Sequence, residues 1–485
     1  MVTRGRSSDI KGIETPRPRD LGKSPLIPPS GGSRDTHGQR ASRYISAMAP
    51  DLDGDLGVDV LIIGGGIQGL YLARALQKQF SVCIVTDPHA PSETLDSPGF
   101  FSAGYTGNDV ARIQPARRAA GYWKLWAESN GVPNNYEPSL YVMPADEESM
   151  RTRLWSDATL GAKPVDAIPQ IFGRGSLEGQ PAYSTINDVV INPTALLAEL
   201  RKGLEDRIIW GEVTKFGLIT DKAIDFVEVQ TSDERIVPIT ARFVVLVSDV
   251  GNGYLLQRLV ATFKDRTKRQ AAAELTRSCQ AVRRVTTIVV RGTELPLVAG
   301  WFDGLEITAH PFGTAGENVW VVRPPIDDRS TVLGPEEVRF EPKLDPIRVT
   351  DALDRIFRIA PEFERLAPKL QWGAYTARKT EHPMMAVPNT ANVAQPSPAR
   401  LEKFEMEGFI AAWPSHLAYA MIVGDVVAER VQQELVKAAD FSEGPQPADF
   451  AVPSSGAEQV ARWEQPTFKW LDWAEFQSAQ DYKRD

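Results

Sequence analysis

The stretch from Val58 to Phe80 constrains the fold more than any other part of the chain. Val58–Ile63 is a short apolar run. Gly64-Gly65-Gly66-Ile67-Gln68-Gly69 follows, and Leu70–Phe80 then carries Leu72, Ala73 and Leu76 at helical spacing. A glycine cluster that ends a strand and opens a helix has a physical reading. Gly64 permits the tight turn, Gly66 lets backbone N–H groups approach a pyrophosphate, and Gly69 with Ala73 lets helix and strand pack closely. The helix N-terminus adds partial positive charge beneath the phosphates. A second apolar strand, Val82–Val85, completes the start of a βαβ unit, and Asp87 stands at its end, 21 residues after Gly66. A carboxylate there accepts hydrogen bonds from a ribose 2′-OH and repels a 2′-phosphate. The pattern predicts a dinucleotide site, against the alternative of a hairpin whose glycines serve packing alone.

Bulk properties narrow the remaining classes. The chain has 485 residues, 42% of them hydrophobic and 24% charged, which predicts two or three globular units. A net charge of −9 gives no support to nucleic-acid binding. No apolar run reaches the ~18–20 residues of a membrane span, and no signal-peptide core is visible. The only cysteines, Cys83 and Cys279, exclude a disulfide framework and point to a reducing, cytoplasmic setting. Five histidines without metal-ligand spacing, and two distant cysteines, predict no metal site.

Along the chain, residues 1–57 read as a disordered tail. Its first 50 residues hold nine Lys/Arg, four Asp/Glu, six prolines and six glycines, with almost no apolar periodicity. The alternative is an organelle-targeting segment, which the acids and prolines disfavour. Residues 58–140, 185–280 and 370–440 are assigned to a discontinuous α/β dinucleotide-binding domain. Residues 141–184 and 281–369, with β-rich runs between Val282 and Leu333, are assigned to a mainly antiparallel substrate or cap domain. Asp351–Phe363 reads as an amphipathic helix, and Leu417–Val436 as one long helix. The extension 441–485 carries Trp463, Trp470 and Trp473, which either pack on the same chain or meet a protein partner.

With these motifs in order, the sequence resembles the FAD-dependent oxidoreductases of the D-amino-acid oxidase type, which include glycine and sarcosine oxidases. The resemblance runs from about Val58 to Val436. Ser97-Pro98-Gly99-Phe100-Phe101-Ser102-Ala103-Gly104 is similar to the family's segment that passes the flavin. Ile191-Asn192-Pro193-Thr194-Ala195 is similar to the passage ahead of the adenine contact, which implies that Val213 offers backbone to the adenine. Ala411-Ala412-Trp413-Pro414-Ser415-His416-Leu417 is similar to the last strand and the start of the last helix. The resemblance implies a Rossmann-like FAD-binding domain, FAD as cofactor, and oxidation of a small amine or amino-acid-like substrate. It also implies cofactor contacts from Gly64 to Gly69, Asp87, Ser102, Ala103, Gly104, Val213, Pro414, Ser415, His416 and Leu417.

Arg323, Arg378 and His416 are the candidate catalytic residues. Each arginine either clamps a substrate carboxylate or pairs with a nearby acid, and His416 either faces the flavin or caps the helix. The sequence departs from the family pattern at Asp249, where a glycine is usual, at Ser415-His416-Leu417, and around Arg378–Pro383. Asp249 and Ser415-His416-Leu417 motivate the alternative of a catalytically eroded flavin-fold protein that acts by binding. A third reading is an NAD-linked dehydrogenase.

Overall fold

The computed structural model describes residues 56–90, 92–102, 110–135, 139–142, 162–173, 177, 179–313, 316–324, 332–333, 342–381, 406–413, 417–437 and 459–482. The N-terminal tail expectation falls outside them except at its end, where the first strand already includes Leu56 and Gly57, two residues before the expected start.

The first strand, Leu56–Ile63, is apolar on both faces because both are covered. Val60 and Ile62 pack into one core and Leu61 and Ile63 into another, as a continuous apolar strand within a parallel layer requires. Its charged residue, Asp59, is buried but satisfied. Arg242 Nη1 lies 3.0 Å from its carboxylate, and Ser81 donates to it from both N and Oγ. Val82–Thr86 and Ile236–Leu246 flank this strand in parallel, with Ile208–Thr220 beyond the former and Phe409–Ala411 beyond the latter. Two of these strands run on past the parallel layer. Ile208–Thr220 and Ile236–Leu246 each pair antiparallel with Ala223–Thr231, so a β-meander replaces a crossover helix between them. The helices Ile67–Leu76, Pro193–Arg201 and Ala420–Lys437 supply one core, and Val250–Ala261 contributes to the other.

Among the described residues the second sheet has nine strands and is almost wholly antiparallel, the exception being the parallel pair Ser139–Val142 and Ala299–Phe302. The helix Pro346–Ile359 covers one face. It starts five residues earlier than expected because Asp345 caps it, accepting from Ile347 N at 3.0 Å, with Pro346 at its first position. Two further expectations are corrected. Gln371–Glu381, expected in the dinucleotide-binding part, pairs along its whole length with Ala281–Gly292 in this second sheet. The expected helix from Leu417 begins as a separate tight turn, Leu417–Tyr419, before Ala420–Lys437.

The C-terminal extension wraps around the edge strand Gln371–Glu381. Trp463 is fully buried on one face among Val285, Val289, Val319 and Val321, stacked 5.6 Å from the ring of His310. Leu471 exchanges both backbone hydrogen bonds with Trp372, and Phe476 then packs on the opposite face beside Trp372. The tryptophans therefore cover this chain's own sheet, which removes the feature that suggested a protein partner. Trp463→Ala is expected to destabilise the fold by about 3–5 kcal/mol, the usual cost of emptying a tryptophan site. Denaturant unfolding of both forms checks this, and a loss under 1 kcal/mol would contradict the packing.

Candidate cofactor and substrate site

The glycines divide by what a side chain would meet. Gly64 has φ +129°, and a Cβ there would lie 2.4 Å from the carbonyl oxygen of Val247; at Gly69 it would lie 1.8 Å from that of Gly64. Both hold the turn closed. Gly66 has ordinary extended backbone, and a Cβ would meet only Thr94 Oγ1 at 3.3 Å. Its openness is that of a wall facing a cavity of about 320 Å³, lined also by Gly64, Gly65, Asp87, Val213 and Asp249. The helix Ile67–Leu76 begins at this wall with no side-chain cap from Gly66, and Ile67 N reaches only Thr94 Oγ1, at 3.3 Å. Its first turn thus presents N–H groups to the space where an anion belongs.

Asp87 lines the cavity at the end of the second strand, and its Oδ1 accepts from His89 N at 2.8 Å. Val213 lies further along the same wall. Its carbonyl already accepts from Arg258 Nη1, while Arg258 Nη2 is 3.2 Å from Glu212 Oε1. Arg258 escapes sequence reading because it comes from the helix Val250–Ala261, 45 residues downstream. Gln68 is buried, and among the described residues both ends of its carboxamide are without a hydrogen-bond partner.

Asp249 and Glu93 line this cavity and also a second one, of about 90 Å³. Asp249 occupies the N-cap position of Val250–Ala261, for which aspartate is well suited, yet its side chain makes no capping bond and its φ is +45°. Its Oδ1 is buried without a hydrogen-bond partner among the described residues. Burial pushes this carboxyl from 3.8 up to about 7. Glu93 accepts from the backbone N and hydroxyl of Thr380, but burial and then the neighbouring Asp249 hold its carboxyl well above the usual range. Glu93 was not singled out from the sequence; an acid so close to the second strand was its only signal.

The second cavity gathers charges from three strands of the second sheet. Arg323, Arg378 and Lys379 line it with Glu306, Pro98 and Leu417. Arg323 and Glu306 are directly opposite in strand register. Arg323 Nη2 donates to the Asp96 carbonyl at 2.6 Å, and Tyr375 donates to the same oxygen at 3.1 Å. Burial raises the Asp96 carboxyl to about 6, opposed by Arg462, Arg378 and Arg323. Burial also raises Glu306, opposed by Arg323 and Lys379.

The two candidate arginines thus meet in one place. Ser102 is buried 3.2 Å from Tyr141 Oη, which donates to Asp188 at 2.5 Å. Ala103, Gly104, Pro414, Ser415 and His416 lie outside the described residues. Among the described residues, no cluster of three metal-ligating side chains occurs, and no helix is long and apolar enough to cross a membrane.

Comparison with known proteins decides what this arrangement is. The family model for FAD dependent oxidoreductases matches residues 59–429. The chain belongs to that family. Solved structures agree in fold. An FAD dependent oxidoreductase from Pseudomonas aeruginosa is 19% identical with a TM-score of 0.54, covering 82% of this chain and 96% of its own. Glycine oxidase from Geobacillus kaustophilus is 15% identical with a TM-score of 0.56, covering 78% and 95%. L-amino acid deaminase from Proteus vulgaris is 14% identical with a TM-score of 0.55, covering 82% and 98%. No curated protein matches.

FAD is the cofactor of the family, and the first cavity suits it at three points. The uncapped helix start beside Gly66 would hold the diphosphate, Asp87 the ribose hydroxyls, and the backbone at Val213 would border the base. The buried carboxamide of Gln68, beside the same turn, is a further polar group without a partner among the described residues. Glu93 and Asp249 suit an anion only as neutral acids, which is the state that burial favours.

Proposed function

We propose that the protein oxidises a small amine or amino-acid-like substrate, with hydride leaving the carbon that bears nitrogen and an imine that then hydrolyses. The observation that carries this reading is the pair Arg323 and Glu306. They are opposite in register and line one small cavity, yet among the described residues they make no ion pair with each other. A zwitterion fits both charges, beside the Asp96 carbonyl that Arg323 already holds. Its carboxylate meets the Arg323 guanidinium, with Arg378 and Lys379 adding positive charge, and its ammonium meets Glu306. Glu306, raised by burial, takes up the ammonium proton so that the amine is neutral when oxidised. FAD, when bound, supplies the two-electron acceptor. Dioxygen is the default final oxidant in this reading, and the cytoplasm the setting, where burial keeps the Cys83 thiol up at about 12 and inert.

The test is anaerobic bleaching of the bound flavin by a panel of amino acids and amines. Arg323→Leu is expected to raise KM for a carboxylate-bearing substrate by roughly 10- to 150-fold, the effect of losing a charged hydrogen bond worth ~1.5–3 kcal/mol. An unchanged KM for every substrate would remove Arg323 from this role. The second reading, a flavin-fold protein that binds without turnover, draws support from the carboxyl pair Glu93 and Asp249 on the wall common to both cavities. A colourless preparation that FAD cannot reconstitute would decide for it.

A further inference from the structure

The matched family region ends at residue 429, yet a wall of the dinucleotide cavity comes from beyond it. Gln459 lines that cavity, and it accepts a hydrogen bond from Arg201 Nη2. Arg201 lies over the ring of Trp210, its guanidinium carbon 5.4 Å from the centroid, and Trp210 is paired in register with Thr86, the residue before Asp87. Gln459 therefore lines the cavity on the side of Trp210 and of the strand end that carries Asp87.

Two residues on, the same segment grips the helix Pro193–Arg201. Thr194 accepts from Ala461 N at 2.8 Å and donates to Glu464, and Asn192 Nδ2 donates to the other Glu464 oxygen at 2.6 Å. Asn192 also caps that helix through its Oδ1. Beyond Glu464 the segment is anchored on the other sheet by Phe468, by Trp470 and by the Leu471–Trp372 bridge. One stretch thus links the helix Pro193–Arg201 to the second sheet beside the nucleotide cavity.

We propose that residues 459–464 form a latch over the base end of the cofactor cavity, with Gln459 contacting the bound nucleotide and Glu464 holding the latch shut. The inference rests on FAD occupying that cavity. It assigns cofactor retention to a segment outside the family fold. In the closed latch the nucleotide leaves only after Glu464 releases Thr194 and Asn192. Trp463, within the same stretch, stays buried against the second sheet while the end that carries Gln459 lifts, so opening the latch does not require unfolding that sheet.

The experiment measures FAD dissociation from the purified full-length holoprotein, by trapping released flavin and following its fluorescence. Glu464→Ala and Thr194→Ala are each expected to raise the dissociation rate at least tenfold. The double variant should be no faster than the quicker single one, since both open the same contact. Melting temperatures of the apo forms serve as the control. Gln459→Ala should weaken equilibrium FAD binding severalfold. Dissociation rates equal to the parent's in all three single variants, with melting temperatures also equal, would overturn the latch while leaving FAD binding intact. Variants that release FAD faster only in proportion to a lowered melting temperature would also overturn it. A parent protein that binds no FAD at any concentration would sink the cofactor reading itself, and the latch with it.

Discussion

Gly66→Val is expected to abolish FAD binding while leaving the fold standing, and Gly64→Val to do the opposite in order of cause. At Gly66 the backbone is already in a conformation that any residue adopts, and the nearest obstacle is a hydroxyl at 3.3 Å. The added methyl groups enter the cavity and displace the diphosphate from the helix start. The cost to folding is the loss of an acceptable N-cap, about 1 kcal/mol. At Gly64 the φ of +129° and a carbonyl 2.4 Å from the new Cβ force the turn itself apart. The expected signature is a Gly66→Val protein that melts within roughly 5 °C of the apo parent but retains no flavin, beside a Gly64→Val protein that is poorly folded. A yellow Gly66→Val protein with stoichiometric FAD would refute the assignment of the cavity.

The second large effect is expected at Asp249. In the folded protein its proton is held up to about pH 7, whereas the unfolded chain releases it near 3.8. Between those values the unfolded state binds fewer protons, so stability falls as pH rises. The contribution is fully present below pH ~4 and lost through pH 7. FAD binding runs in the same direction. A unit charge about 6 Å from a diphosphate costs roughly 3 kcal/mol at an effective dielectric near 20, or two orders of magnitude in affinity. The diphosphate therefore favours the protonated acid, and FAD is expected to bind with uptake of a proton and to weaken above pH 7. Asp249→Asn keeps the shape without the charge. It should tighten FAD binding at pH 8 by tens-fold and flatten both pH dependences. Titration of apo-protein at several pH values measures this, and an Asn variant with the parent's affinity and slope would show that the carboxylate never meets the cofactor.

Much of this was legible in the sequence where function and local chemistry coincide. The glycine turn, Asp87 and the departure at Asp249 are all written within a few residues of a strand end. The β-rich texture from Val282 to Leu333 also announces the second sheet. Partnerships between distant segments were not legible. Gln371–Glu381 has the alternating pattern of any strand, and only its pairing with Ala281–Gly292 assigns it to the second sheet. Glu93 reads as an ordinary surface acid until Thr380 and Asp249 close around it. Arg258 takes the Val213 carbonyl from a helix on the far side of the meander. The tryptophans of the extension were recognisable as apolar, but their own spacing does not say whether this chain or another covers them.

A protein chain is made from one end. The glycine turn, Asp87, Val213 and Asp249 are all polymerised before Gln459, and Glu464 finds Thr194 across 270 residues of sequence. Contacts of such separation close late, because the loop they span must be ordered first. Every other described wall of the nucleotide cavity therefore exists on a growing chain before the piece that covers its base end has been synthesised. A chain cut short by a few dozen residues would lose that cover and the outer packing of the second sheet together.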